Sequence, residues 1–345
     1  MPAELPQDVV DCDVHCAPGS MDALLPRLGD YWRGYVEDST ARLPPSGAYP
    51  PGARTSGAEP VPQDQAELAA ALERTAPRRA LLSCLALDGV HRNPHYAEAM
   101  ARGLNDWMRE ELLDRDERLR GSIAVSTLDI VTAVEEVERL GDDPRFAQVL
   151  LPVRSDVPYG NRLYHPLYEA AARHGLRIAL HAWGRPGAAP TTTGLTTTYL
   201  EDYASNAHIA QFQLLSLVTE GVFGKYPDLG VVFAECGFAW LPALLWRFDK
   251  DWKGVWREVP WVKERPSAYV RRHVRLTTEP AHLPRAPEQV AQVVEAVGPE
   301  MLLYASDHPH DHGDSGGALL RDLGTADVEA ILRGNALAFY GQSVS

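Results

Sequence analysis

The chain has 345 residues, 45% of them hydrophobic and 23% charged, the balance of a folded globular protein rather than a disordered or fibrous one. Its 33 basic and 47 acidic side chains leave a net charge of −14, which argues against nucleic acid or an anionic membrane as a partner. No apolar run approaches the ~20 residues that span a bilayer and no secretory leader is visible. Cys12, Cys16, Cys84 and Cys236 form neither a CxxC pair nor a disulfide framework, so a reduced, cytoplasmic protein is expected.

In chain order, the apolar run 9–15 reads as the first strand. A Pro- and Gly-dense stretch, 42–62, follows it, and then helical periodicity over 64–75. The second strand is expected at 79–85, a helix at 94–114, the third strand at 121–125 and a helix at 130–140. Strand four at 148–153 is followed by a helix over 163–174 and strand five at 176–181. A second loop rich in Gly, Pro and Thr covers 183–198. Strands six, seven and eight are expected at 231–235, 274–278 and 301–307, with helices at 287–297 and 327–339.

Continuous apolar strands alternating with helices imply parallel βαβ units buried on both faces. Eight of them favour a closed (β/α)8 barrel, one domain over 1–345 with long loops at its active-site mouth. An open doubly wound sheet is the alternative, but no G-x-G-x-x-G follows the first strand.

The polar residues that end these apolar strands carry the chemistry. Asp13 and His15 are two apart on strand one and share a face. His181 ends strand five and Asp307 ends strand eight. Strand C-termini converge in a barrel, so the four can meet. Two carboxylates with two imidazoles suit one divalent first-row ion, with zinc the first choice and manganese or iron the alternatives. Glu235, at the end of strand six, is a second candidate catalytic carboxylate beside Asp307. His310, three residues after Asp307, is a candidate substrate contact, as is His308. Arg33, Arg54 and Arg185 could hold a substrate carboxylate, and Trp183 could wall an aromatic pocket. Trp240 reads as core packing, and Cys16 and Cys236 as buried fillers facing away from the site.

The segments DCDVH at 11–15, LHA at 180–182, ECGFAWLP at 235–242 and SDHPH at 306–310, with Asn335-Ala336-Leu337 near the end, resemble the amidohydrolase superfamily. More narrowly they are similar to the group containing aminocarboxymuconate semialdehyde decarboxylase. The resemblance implies a distorted TIM barrel with one metal, a small-molecule substrate and a homodimer. It assigns metal ligation to Asp13, His15, His181 and Asp307. Many decarboxylases of the group place a His where this chain has Glu235. That departure turns the expectation towards a hydrolase using a metal-activated water, acting on a small, cyclic or aromatic metabolite. A non-oxidative decarboxylase of an aromatic or enol acid is the rival, and a barrel that only binds ligands is the reading from another class.

Overall fold

The computed structural model describes residues 8–39, 43, 61–73, 75–87, 93–183, 194–310, 319–321 and 323–345. Eight strands, β1 (Val10–His15), β2 (Arg79–Ser83), β3 (Leu119–Ala124), β4 (Phe146–Pro152), β5 (Arg177–His181), β6 (Val231–Ala234), β7 (Val274–Thr277) and β8 (Leu302–Leu303), lie side by side in chain order. Every neighbouring pair is parallel. β8 reaches back to β1 through Cys12 N–H to the Tyr304 carbonyl at 2.9 Å and His15 N–H to the His308 carbonyl at 2.8 Å, closing the (β/α)8 barrel.

Helices fill the connections where caps and periodicity direct. Asn93 accepts from the amides of His95 and Tyr96 to start the helix Pro94–Met108, with Pro94 in its first turn. Asp129 caps Ile130–Leu140 in the same way. Asn105, fully buried, locks two such helices to β3: it exchanges hydrogen bonds with the Ala124 backbone and donates to Glu136. The helix expected over 94–114 is α-helical only to Met108 and finishes as a π-turn, Arg109–Leu113.

Alternation along the strands divides the core. Val9, Leu82, Ile178, Phe233 and Leu276 pack outward against helix residues such as Leu104, Val137 and Leu214. Val10, Cys12, Leu81, Ala147, Val232 and Leu303 form a smaller inner cluster with Ala336, Phe339, Tyr340 and Val344. The chain's last segment therefore stoppers the end of the barrel where the strands begin. Arg177, the first residue of β5, donates to the Phe339 carbonyl at 2.8 Å and sits 5.0 Å from its ring centre. Inside the barrel, Tyr340 donates to Gln148, which donates to Ser122.

Two strand ends differ from expectation. The eighth strand is expected to run to 307, but only Leu302–Leu303 form regular ladder; beyond them the chain meets β1 through single hydrogen bonds and an isolated Val14–His308 bridge. Glu235 lies just past β6 rather than within it. Most of the stretches expected as long loops, with Arg54 and Arg185, lies outside the described residues. No helix among the described residues is long and apolar enough to cross a membrane.

Candidate metal centre

β1 carries a bulge: Asp11 pairs with Ala80 but Val14 with Leu82, so three steps on β1 match two on β2. Cys12 consequently joins the inner cluster while Asp13, the next residue, also reaches inward, and its Oδ1 accepts from the Ser83 hydroxyl at 2.7 Å. His15 follows two residues on, at the strand's C-terminal end. His181 ends β5, fully buried.

The remaining donors stand on turns of unusual backbone. Glu235 and Asp307 both have φ of 54°, a left-handed conformation that costs a non-glycine residue about 1–3 kcal/mol. Neighbouring groups hold each in place. The Glu235 amide donates to the Thr277 hydroxyl at 3.1 Å. The Asp307 amide donates to the Asp13 carbonyl at 3.1 Å, and the Ser306 amide to Asp11 Oδ1 at 2.9 Å. Burial pushes the Asp11 carboxyl up to about 7.

These elements bring six side chains together. His15 Nε2 is 2.8 Å from both Glu235 Oε1 and Asp307 Oδ1. His181 Nε2 is 3.1 Å from Asp13 Oδ2 and 3.3 Å from Glu235 Oε1. His310 Nδ1 is 3.0 Å from Asp307 Oδ1 and 3.8 Å from Glu235 Oε1. Mutually close donors fall into two overlapping sets, Asp13–His15–His181–Glu235 and His15–Glu235–Asp307–His310.

Charge explains why the cluster suits a cation. Burial alone would lower the His15 pKa, but the Asp307 and Glu235 carboxylates outweigh it and hold the imidazole well above its usual value. Against the same desolvation, Glu235 and Asp13 raise His181 to about 10. Asp13 and Glu235 sit below the ordinary carboxylate range: burial opposes this, and the imidazoles override it. Three carboxylates thus draw protons onto neighbouring rings. One ring nitrogen carries at most one hydrogen, so His15 Nε2 cannot donate well to two carboxylates at once. A divalent ion supplies the same positive charge with neutral imidazoles, and the donor set fits one.

The structure brings Asp13, His15, His181 and Asp307 to one mouth, as the sequence suggests, and adds Glu235 to both sets. The Trp183 ring centre lies 6.3 Å from that of His181, and its indole N–H is buried without a partner among the described residues. Arg33 is engaged elsewhere, donating to the carbonyls of Leu25 and Leu28 and pairing with Asp30. The His308 carbonyl serves the β1 backbone, and the Trp240 indole donates to the carbonyls of Cys236 and Gly237. Sequence reasoning missed Ser83 and Asp11. Ser83 has a signal, a hydroxyl closing an otherwise apolar strand; Asp11 has none, because strand parity does not foretell the bulge.

Residues 10–342 match the profile of the family described as amidohydrolase. A gamma-resorcylate decarboxylase of Polaromonas sp. (strain JS666) is 26% identical over 252 residues, covering 70% of this chain and 76% of that one. Among solved structures, an amidohydrolase from Mycobacterium avium subsp. paratuberculosis K-10 superposes with a TM-score of 0.75 at 20% identity, covering 98% of both chains. A dihydroxybenzoic acid decarboxylase from Polaromonas sp. JS666, with bound manganese and the inhibitor 2-nitroresorcinol, gives 0.68 at 20% identity over 96% of both.

These relatives overturn the expectation of a hydrolase. That expectation rested on Glu235 replacing an imidazole and so favouring attack by water. Nor does that replacement by itself call for attack by water: the Glu235 carboxylate is 2.8 Å from His15 and lies inside the donor cluster. The profile match spans all eight strands and every donor of the cluster, and the chain belongs to the amidohydrolase family.

Proposed function

We propose that the protein is a metal-dependent, non-oxidative decarboxylase of a hydroxylated aromatic carboxylic acid. The observation that carries this is the buried carboxylate–imidazole cluster at the barrel mouth of a chain whose relatives are decarboxylases of such acids. Asp13, His15, His181 and Glu235 would hold the ion, with Asp307 bordering it through His15. Two carboxylates with two imidazoles accept zinc or manganese, and the manganese bound in a related decarboxylase favours manganese. When bound, the ion supplies positive charge that orients and neutralises the substrate's carboxylate and adjacent ring oxygen.

The chain's residues do the rest. Asp307 carries a proton to the ring carbon that bears the carboxylate. The bond from that carbon to the carboxylate then breaks, its electron pair returns to the ring, and carbon dioxide leaves; hydrogen stands where the carboxylate was. His310 Nδ1, 3.0 Å from Asp307, orients that carboxyl and returns its proton from the solvent side. Glu235 stays ionised and fixes His15 and His181. The Trp183 N–H, unpartnered among the described residues, donates to a substrate oxygen while its ring flanks the aromatic plane. We read the chain as one catalytic domain whose partner is this small molecule, and as a homodimer by its resemblance to the group.

The test is incubation of the manganese-loaded enzyme with gamma-resorcylate and 5-carboxyvanillate in deuterated or 18O-labelled water. The expected result is carbon dioxide release with deuterium at the vacated carbon. Labelled oxygen in the organic product without carbon dioxide would overturn the reading.

A further inference from the structure

Backbone strain marks a third residue at the mouth. Among the described non-glycine residues only Ala76, Glu235, His282 and Asp307 have left-handed backbone, and His282, with φ of 50°, belongs to neither donor set. Such a conformation persists where the surrounding structure imposes it, and it gathers at functional positions. The anchors around His282 are visible. β7 ends at Thr277, whose hydroxyl accepts from the Glu235 amide at 3.1 Å and donates to the Glu279 carbonyl at 3.1 Å, tying the turn after β6 to the segment after β7. Glu279 and Ala281 are buried, whereas His282 is exposed. Its ring lies against Gly237, two residues past Glu235: a Cβ at that position would stand 2.8 Å from His282 Nδ1. Gly237, with φ of 64°, leaves that room. The imidazole therefore borders the metal centre on its β6–β7 side. From Pro280 to Pro287 the sequence holds no acid and two basic side chains, His282 and Arg285, in a chain of net charge −14.

We propose that His282 is a specificity-determining residue that binds a second carboxylate of the substrate, so that an aromatic dicarboxylate is preferred over a monocarboxylate. The proposal rests on the decarboxylase reading above and narrows its substrate class. With the reacting carboxylate held at the cluster, a ring that extends past Glu235 and Gly237 brings its next substituent to the imidazole. Nδ1 lies against Gly237, so Nε2, on the opposite edge of the ring, is the atom placed to donate. A hydroxyl or methoxy group there gains a neutral hydrogen bond, whereas a carboxylate gains a charge-assisted one, about twice as strong. Arg285, half-buried three residues on, adds positive charge to the same segment. Glycine would adopt the backbone of residue 282 at no steric cost, so the strain comes from keeping a ring there.

The experiment is calorimetric titration of the manganese-loaded protein with isophthalate and with benzoate, which differ only in the second carboxylate. Wild type should bind isophthalate about 10- to 100-fold more tightly, the worth of a hydrogen bond to a charged group. His282→Gly, which suits φ of 50°, should bring the two affinities together while melting temperature and Mn²⁺ content hold. His282→Asn tolerates left-handed backbone and keeps a side-chain N–H, so it should recover part of the preference. Equal affinities in the wild type, a preference that survives His282→Gly, or one lost only together with the metal overturns the proposal. Should His282→Gly fail to fold, the wild-type ratio and His282→Asn decide. A preference for isophthalate without carbon dioxide release from gamma-resorcylate or 5-carboxyvanillate would sink the decarboxylase and leave the role of His282 standing; release without the preference would do the reverse.

Discussion

The two ends of the barrel differ most in what they concentrate: apolar packing and arginine–carbonyl bonds at one, clustered carboxylates and imidazoles at the other. At the end where the strands begin, arginine guanidinium groups meet backbone carbonyls, Phe339 fills the bore, and Tyr340, Gln148 and Ser122 form a hydrogen-bond chain, although Nε of Arg79 and Arg275 is buried without a partner among the described residues. At the other end, three carboxylates crowd three imidazoles, Glu235, Asp307 and His282 hold left-handed backbone, and His181 Nδ1 and the Trp183 indole are buried without partners among the described residues. Strain and mismatched charge persist only where surrounding structure over-determines them. The stoppered end and the paired strands fix the frame, and the mouth carries groups that await a ligand. Stability and function should therefore separate under mutation.

The largest expected effect is at the mouth. Asp307→Asn keeps the size and the backbone but removes the proton carrier, so turnover should fall by about 10³-fold or more. The melting temperature should stay within a few degrees of wild type. Turnover near wild type, measured as carbon dioxide release, would break the assignment; loss of the fold would show that the mouth is structural after all. Next comes the stoppered end. Phe339→Ala removes a ring packed in the bore and under Arg177 and Arg275, with a cost of about 3–5 kcal/mol in urea unfolding. Its Mn²⁺ content at low temperature should match wild type, and metal loss in parallel with stability would dissolve the contrast between the ends.

The same contrast governs what the sequence made legible. Periodicity and apolar runs place all eight strands in order, because burial on both faces leaves a pattern that local reading recovers. Asp13, His15 and His181 are legible too, since a polar residue ending an apolar strand stands out. The precise site is not. Glu235 and Asp307 owe their aim to left-handed backbone that no residue-type pattern announces, and the β1 bulge reverses the parity by which Asp11 and Cys12 would be placed. Taking the replacement of an imidazole by Glu235 as a sign of hydrolysis, although a carboxylate can serve in the same donor cluster, is what turned the expectation away from decarboxylation. Arg33 illustrates the converse, a residue of suitable chemistry that its own turn engages.

A smaller effect sharpens the account of the mouth. Trp183→Phe keeps an aromatic ring but deletes the indole N–H. If that hydrogen meets a substrate oxygen, KM should rise about 3–10-fold, the worth of one neutral hydrogen bond, with kcat changed less. An unchanged KM would confine Trp183 to packing beside His181.

The smallest effect lies in the frame and depends on pH. His273 ends the helix Pro266–His273, stacks on Phe223 with ring centres 4.7 Å apart, and donates from Nδ1 to the Leu229 carbonyl at 2.9 Å. Burial holds its pKa below 6.5, with Arg272 adding to the effect and the Leu229 carbonyl, Asp228 and Glu264 opposing it. The unfolded chain therefore binds a proton more readily than the folded one as pH falls through about 6.5, so stability declines on the acid side of that value and is unaffected well above it. His273→Gln keeps a side-chain N–H for the carbonyl but cannot take up the proton. Its unfolding free energy should trail wild type at pH 8 through lost stacking, and the gap should narrow by pH 5.5. A gap that stays constant between those values would mean that the imidazole titrates alike in both states and that burial in this part of the frame is looser than its packing implies.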